Sequence, residues 1–237
     1  MHRESLAWWS PSLGRPMELL VHGHAGTPVL VFPCSMGRYF EWENFGMVEA
    51  LRPQIEQGRN QLFCVDSVDA ESFYNRSVAP YVRMMRYQQY ERYILNEVLP
   101  LINHRAPGGF VIAAGASFGA YHAANMVFKH PDRFGKLIAL SGAYDIRTFM
   151  NGFYDMNVYF NNPVEYLPNL RDHGHLEALR HNHLILTVGE HDPCREANER
   201  LAYTLRDKGI PFTFDVLSGA FGHDWPWWRD LLKKHIG

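Results

Sequence analysis

The stretch "FVIAAGASFGAYHAANMVFKH", residues 110–130, decides the reading of the whole chain. It starts as an apolar run of strand length and ends as a helical pattern, and Ser117 stands at the junction among glycines and alanines. Gly115, Ala116, Ser117, Phe118 and Gly119 form a G-x-S-x-G pattern. A serine nucleophile at a sharp strand-to-helix turn needs such neighbours. The turn is strained, the hydroxyl points outward, and residues with little side chain let the two backbones approach. A tight turn alone would also favour a small residue, so the chemistry rests on what the rest of the chain supplies.

On either side, short β-type runs alternate with longer helical patterns, the mark of an α/β sheet with crossover helices. The strands read as "MELLV", "PVLVF", "QLFCV", "FVIAAG", "KLIALSG", "HLILTVG" and "FTFDVL", with one more at "ESLAWWS". Several are continuous apolar runs, as expected of strands covered on both faces. "VHGHAGTP" reads as the turn between the second and third strands, a connection too short for a parallel crossover, so the first strands are expected to be antiparallel. Tyr87, Tyr90, Ile94, Val98 and Leu101 share one face of a helix predicted over 79–105, which Pro100 is expected to kink or end early. Further helices are predicted over 42–57, 118–130, 195–208 and 225–234. The aromatic, asparagine-rich stretch 145–170 lacks sustained periodicity and reads as a lid-like insertion in a single domain spanning 1–237.

Composition narrows the function. Apolar residues make up 46% and charged residues 20% of the 237, which is ordinary for a folded globular chain. Lysine plus arginine (23) against aspartate plus glutamate (25) leaves −2, so no broad basic field for nucleic acid is expected. No segment approaches the ~20 apolar residues of a membrane span, and the N-terminal "MHRESLAWWSPSLGRP" lacks the pattern of a secretory signal. Three cysteines are an odd number and too few for a disulfide framework, so a cytoplasmic location is expected. The expected ligand is a small, roughly neutral molecule, with a homo-oligomer as a further possibility because exposed aromatics also serve interfaces.

A serine hydroxyl is a weak nucleophile without an adjacent base held by a third group. In a sheet of this kind, the acid and then the histidine follow the serine on loops at the carboxyl ends of later strands. "HLILTVGEHDPC" delivers Asp192 and "FTFDVLSGAFGHDWPWW" delivers His223. Asp145, after "KLIALSG", is the competing acid, and Glu190 lies earlier on the Asp192 loop. Of the histidines after Asp192, His235 falls in the terminal helix, which leaves His223 as the base. The His-x-His pairs at 22/24, 173/175 and 181/183 have no cysteine or carboxylate spacing to complete a metal site, and no phosphate-binding loop is present. Neither a metal nor a cofactor is expected. Cys34 lacks an elbow and an ordered base, and reads as a small buried hydrophobe.

The Ser117 elbow, the "GEHDP" loop, the "GHDWPWW" end and the run "GAYHAANMVFKHPDRFGKLIALSGAYD" together resemble the α/β-hydrolases, in particular the esterase D type family. That family comprises carboxylesterases, feruloyl esterases, S-formylglutathione hydrolases and mycolyltransferases. The resemblance runs from about Pro28 to Trp228, with one departure: Ala120 stands where many hydrolases carry another glycine. It implies a three-layer sandwich, a mostly parallel central sheet with helices on both faces. It also implies hydrolysis of small acyl or aryl esters through a serine acyl-enzyme, with acyl transfer, thioester hydrolysis and a non-catalytic binding role as alternatives.

In such a site, backbone N–H groups stabilise the developing oxyanion. One is expected from Phe118, the other from Ser35 or Met36 in "PCSMGRYFEW". The substrate pocket is expected among aromatics, chiefly Tyr39, Phe40, Trp42, Phe153 and Trp225. Phe149, Tyr154, Tyr159, Phe160, Trp227 and Trp228 are further candidates.

Overall fold

The computed structural model describes residues 1–219 and 222–237. Its centre is an eight-stranded sheet in the order β1-β2-β4-β3-β5-β6-β7-β8. The strands are β1 (Arg3–Ser10), β2 (Arg15–His22), β3 (Thr27–Phe32), β4 (Asn60–Val65), β5 (Ile112–Ala116), β6 (Lys136–Leu140), β7 (His183–Gly189) and β8 (Phe212–Leu217). β1 and β2 form an antiparallel pair and β2 runs antiparallel to β4, while every pairing from β4 across to β8 is parallel. The short second connection thus reverses direction as expected, but β2 and β3 are not neighbours. β4 returns through a crossover to lie between them.

The continuous apolar strands have a simple cause. In β3, Val29 and Val31 face one core cluster and Leu30 and Phe32 the other, and Ile138 and Leu140 oppose Leu137 and Ala139 in β6 in the same way. The period of two survives, but both faces are buried, so no polar residue marks it. One layer is built from α1 (Glu41–Asn44), α2 (Met47–Ala50), α3 (Arg52–Glu56) and the C-terminal α11 (Trp225–His235), through Trp42, Met47, Leu51, Ile55, Trp228 and Leu232. The opposite layer holds α4 (Pro80–Tyr93), α5 (Leu99–Arg105), α6 (Phe118–Lys129), α7 (Met156–Tyr159), α8 (Pro163–Asn169), α9 (His173–Arg180) and α10 (Arg195–Asp207).

Two helical expectations are corrected. The helix expected over 42–57 is three short ones, broken where Gly46 takes a left-handed φ of 73°. The helix over 79–105 continues past Pro100 because a π-helical turn, Ile94–Val98, joins α4 to α5 and re-phases the hydrogen bonds just before the proline.

Segment 145–170 carries a 3₁₀ turn at Arg147–Phe149, then α7 (Met156–Tyr159) and α8 (Pro163–Asn169). α8 packs against α6 and α10 (Arg195–Asp207). Two buried asparagines hold it. The Asn161 carbonyl accepts from Tyr121 Oη, and its side chain accepts from Asn125, while Asn162 bonds Asp145, Glu165 and the N–H of Ile146. The start of the segment is fixed by Arg83 of α4, a buried guanidinium that donates to the carbonyls of Phe149 (2.6 Å), Asn75 (2.7 Å) and Val78 (3.0 Å). Arg83→Met keeps much of the aliphatic stem but leaves those carbonyls without their charged donor. It is expected to lower the unfolding free energy by roughly 3 kcal/mol, read in a urea titration as a lower midpoint with an unchanged slope.

Candidate active site

Ser117 follows β5 with φ 55° and ψ −120°, a conformation that non-glycine residues adopt only when their surroundings impose it. The surroundings are visible at the two glycines of the motif. A Cβ on Gly115 would lie 2.2 Å from the carbonyl oxygen of Gly119, and one on Gly119 would lie 2.5 Å from the carbonyl oxygens of Phe32 and Pro33. Strand, helix and the end of β3 therefore touch backbone to backbone. The Ser117 N–H donates to Leu140 O at 2.8 Å, so β6 pairing holds the chain up to the nucleophile.

Three loops at the carboxyl ends of β5, β7 and β8 bring Ser117, Asp192 and His223 together. His223 Nε2 lies 2.8 Å from Ser117 Oγ, and Nδ1 lies 3.1 and 3.3 Å from the two oxygens of Asp192. Asp192 is buried and also accepts the N–H of Cys194 at 2.7 Å. Trp228 meets the His223 ring edge-on at 5.1 Å and donates through its indole N–H to Ser141 Oγ at 3.0 Å. Ser141 in turn bonds Asp192. A closed circuit of packing and hydrogen bonds thus orients the imidazole.

The competing residues are occupied elsewhere. Asp145 bonds Arg147 and Asn162. Glu190 accepts from the N–H of Gly219 (2.7 Å) and from Ser218 Oγ (3.1 Å), bracing the loop that leads to His223. His235 pairs with Asp215.

Burial alone would raise the Asp192 carboxyl above the usual range, but the hydrogen bonds from His223, Ser141 and the Cys194 N–H outweigh it and hold it low. Burial pulls His223 the other way, towards neutrality. Asp192 and the neighbouring Cys194 thiol overcome it and raise the imidazole to about 9.

The loop after β3 distinguishes the two candidate donors. Met36, with a left-handed φ of 59°, already donates its N–H to Asp69 Oδ2 at 3.0 Å, and the Cys34 N–H goes to Glu41 at 2.7 Å. Ser35, between them, is exposed, and its N–H has no such partner among the described residues. The same holds for the N–H of Phe118 at the start of α6. Asp69 is itself held at 3.1 Å by His122, one turn along α6 from the nucleophile and caged by Phe32, Phe73, Tyr87, Tyr90, Phe118 and Tyr121. Asp69, Glu41 and His122 were not legible as site residues, because their partners are backbone groups or residues distant in sequence. The Cys34 thiol is pushed well up by burial and by Glu41, so it stays protonated.

Among the aromatics, Trp42 is corrected: it is 1% exposed and packs in the core beneath the sheet, because it follows the tight turn that buries α1. Tyr39 donates to Glu18 at 2.8 Å and packs edge-on against the exposed Phe40. Trp225 is half-buried, stacked on Phe45 at 4.5 Å and edge-on to Trp228, one ring away from His223. Phe153 packs against the larger core cluster. Phe149, with Tyr74, contacts the Phe118 ring beside the nucleophile, whereas Tyr159 and Phe160 line a cleft of about 450 Å³ near the far end of α6.

Comparison with known proteins bears on the fold and the family. The structure is similar to a ferulic acid esterase (TM-score 0.78, 18% identity, covering 99% of this chain and 96% of that one). It is also similar to an S-formylglutathione hydrolase from Staphylococcus aureus (0.74, 20%, 99% and 95%) and to one from Agrobacterium tumefaciens (0.77, 16%, 99% and 92%). No curated protein matches the sequence. The family model named Esterase, described as "Putative esterase", matches residues 10–237. With nearly its whole length matched and the three-layer α/β-hydrolase sandwich in place, the chain belongs to this esterase family.

Proposed function

We propose that this esterase cleaves small acyl or aryl esters through an acyl-enzyme on Ser117. The observation that carries the reading is the continuous relay from Asp192 through His223 to the Ser117 hydroxyl, 2.8 Å from the imidazole, at a strained elbow. In this scheme Oγ attacks the ester carbonyl while Nε2 takes its proton, and Asp192 holds the tautomer and stabilises the imidazolium. The negative charge on the carbonyl oxygen meets the N–H groups of Phe118 and Ser35. Collapse expels the alcohol, which takes the proton back from Nε2. Water, deprotonated by the same nitrogen, then releases the acid and regenerates Oγ–H.

A thioester substrate is the second reading, favoured by the likeness to S-formylglutathione hydrolases. A cytoplasmic setting belongs to the same reading, on the cysteine usage of the chain.

Hydrolysis of p-nitrophenyl esters from acetate to dodecanoate, beside S-formylglutathione, tests both readings. Short esters are expected to be turned over fastest, and Ser117→Ala to reduce kcat by at least ~10³-fold; equal turnover by the folded variant would remove Ser117 as the nucleophile.

The pH profile follows from His223. It acts as a base only when neutral, and its pKa is raised to about 9, so kcat/KM is expected to climb through the neutral range and level off only above about 9. Asp192→Asn removes the carboxylate that raises it. The residual activity, lower by about 10⁴-fold, is expected to level off at a lower pH than in the native enzyme.

Asp69→Ala releases the Met36 N–H and the loop that presents Ser35. A positioning role predicts a kcat lower by on the order of 10²-fold, with KM within about threefold and an unchanged circular dichroism spectrum. A shift in KM alone would assign Asp69 to substrate binding instead.

A further inference from the structure

The acid and base of the relay share their surroundings with a third side chain, which tunes the base but has no part in the bonds made and broken. Cys194 caps the start of α10, two residues after Asp192, and is half-exposed. One ligand-type atom each from Asp192, Cys194 and His223 lie within 4.8 Å of one another. We infer that this cluster is an inhibitory site for a thiophilic divalent cation, Zn²⁺ being the representative, an inference that rests on the triad reading above.

Oxygen, nitrogen and sulfur are the donor set that Zn²⁺ accepts in tetrahedral sites. Zinc–ligand lengths of ~2.0 to 2.3 Å place neighbouring ligand atoms about 3.3 to 3.6 Å apart. The Asp192–His223 pair, at 3.1 Å, is already that close, and the Cys194 sulfur lies no more than 4.8 Å from the ligand atom of either, so little displacement is needed to close the site. A water on the exposed side completes four-coordination. No zinc-binding motif marks the site in the sequence, because His223 stands 31 positions from Asp192 and only the fold of two loops brings them together.

The inhibition has a specific cause. Nδ1 is the nitrogen that faces Asp192, and Nε2 faces Ser117. A cation on Nδ1 displaces the proton held there, which leaves to solvent from an imidazolium or moves to Nε2 in a neutral imidazole. The thiol proton leaves to solvent, and the one proton remaining on the ring sits on Nε2. Nε2 then donates to Ser117 Oγ instead of accepting from it, and no base remains for the attack.

Two measurements test this. Titration of p-nitrophenyl acetate hydrolysis with ZnCl₂ is expected to give full inhibition that EDTA reverses, with Mg²⁺ and Ca²⁺ inert. Cys194→Ala keeps the backbone N–H that bonds Asp192, and relative to its own metal-free rate it is expected to need at least ~100-fold more Zn²⁺. Equal zinc sensitivity in the variant, or a native enzyme indifferent to millimolar Zn²⁺, would overturn the inference.

Binding of Co²⁺ to Ser117→Ala needs no turnover. A thiolate-to-cobalt charge-transfer band in that protein, absent from Ser117→Ala/Cys194→Ala, supports the site whether or not the ester chemistry is as proposed. Its absence, with esterase activity intact in the native enzyme, overturns the metal site alone.

Discussion

Backbone contact between the start of α6, the end of β5 and the end of β3 is the constraint on which the site depends. It places Gly119 against Phe32 and Pro33 and Gly115 against Gly119, at distances where a single methyl group has no room. That closeness forces Ser117 into a left-handed conformation, and the strain, of order 1–3 kcal/mol, is held by β6 pairing on one side and by the buried face of α6 on the other. Because β3 lies in the same contact, the loop that follows it starts beside the Ser117 turn. The position of the Ser35 N–H and the conformation of Ser117 are two consequences of one packing event.

What the elbow delivers, buried polar groups then fix. Unpaired carboxylates in such a place would be costly, yet each has a defined partner. Glu41 takes the Cys34 N–H, and Asp69 takes the Met36 N–H and His122. Committing the N–H groups on both sides of Ser35 leaves its own N–H free between them among the described residues. Preorganisation of this kind stabilises a developing charge without reorganisation at the moment of reaction. Cys34, in the same loop, stays a thiol because its burial and then the negative charge of these carboxylates oppose ionisation.

The legibility of these features in the sequence follows from how each one is encoded. The elbow could be read because sterics restrict residue type there, and Asp192 and His223 because their order along the chain follows from strand order. The parallel sheet was legible for the same reason as its strands' uniform apolarity. Other features leave no trace in residue identity. The proposed oxyanion donor is a backbone group, so the identity of Ser35 carries no mark of it. The place of β4 between β2 and β3 depends on a crossover, not on a local pattern. Trp42 reads as a pocket aromatic by neighbourhood, but the tight turn ahead of it directs the indole into the core. The π-helical turn before Pro100 is a tertiary accommodation in which the buried faces of α4 and α5 keep a helix that propensity alone would end.

The surroundings of His223 link these features. Asp192 and Cys194, the groups that raise its basicity, are electron-rich, and a lone pair made more available to a proton is equally more available to a metal cation. Trp228 covers one side of the ring, and Ser141 bonds the acid from behind. The half-exposed Cys194 side leaves an approach for a cation among the described residues. An alanine at position 194 would keep the N–H that anchors Asp192 while removing the sulfur, so the thiol is separable from the relay it adjoins. In the proposed scheme the thiol helps to set the basicity of His223 but makes and breaks no bond with the ester, so its sulfur can serve a second chemistry at the same histidine.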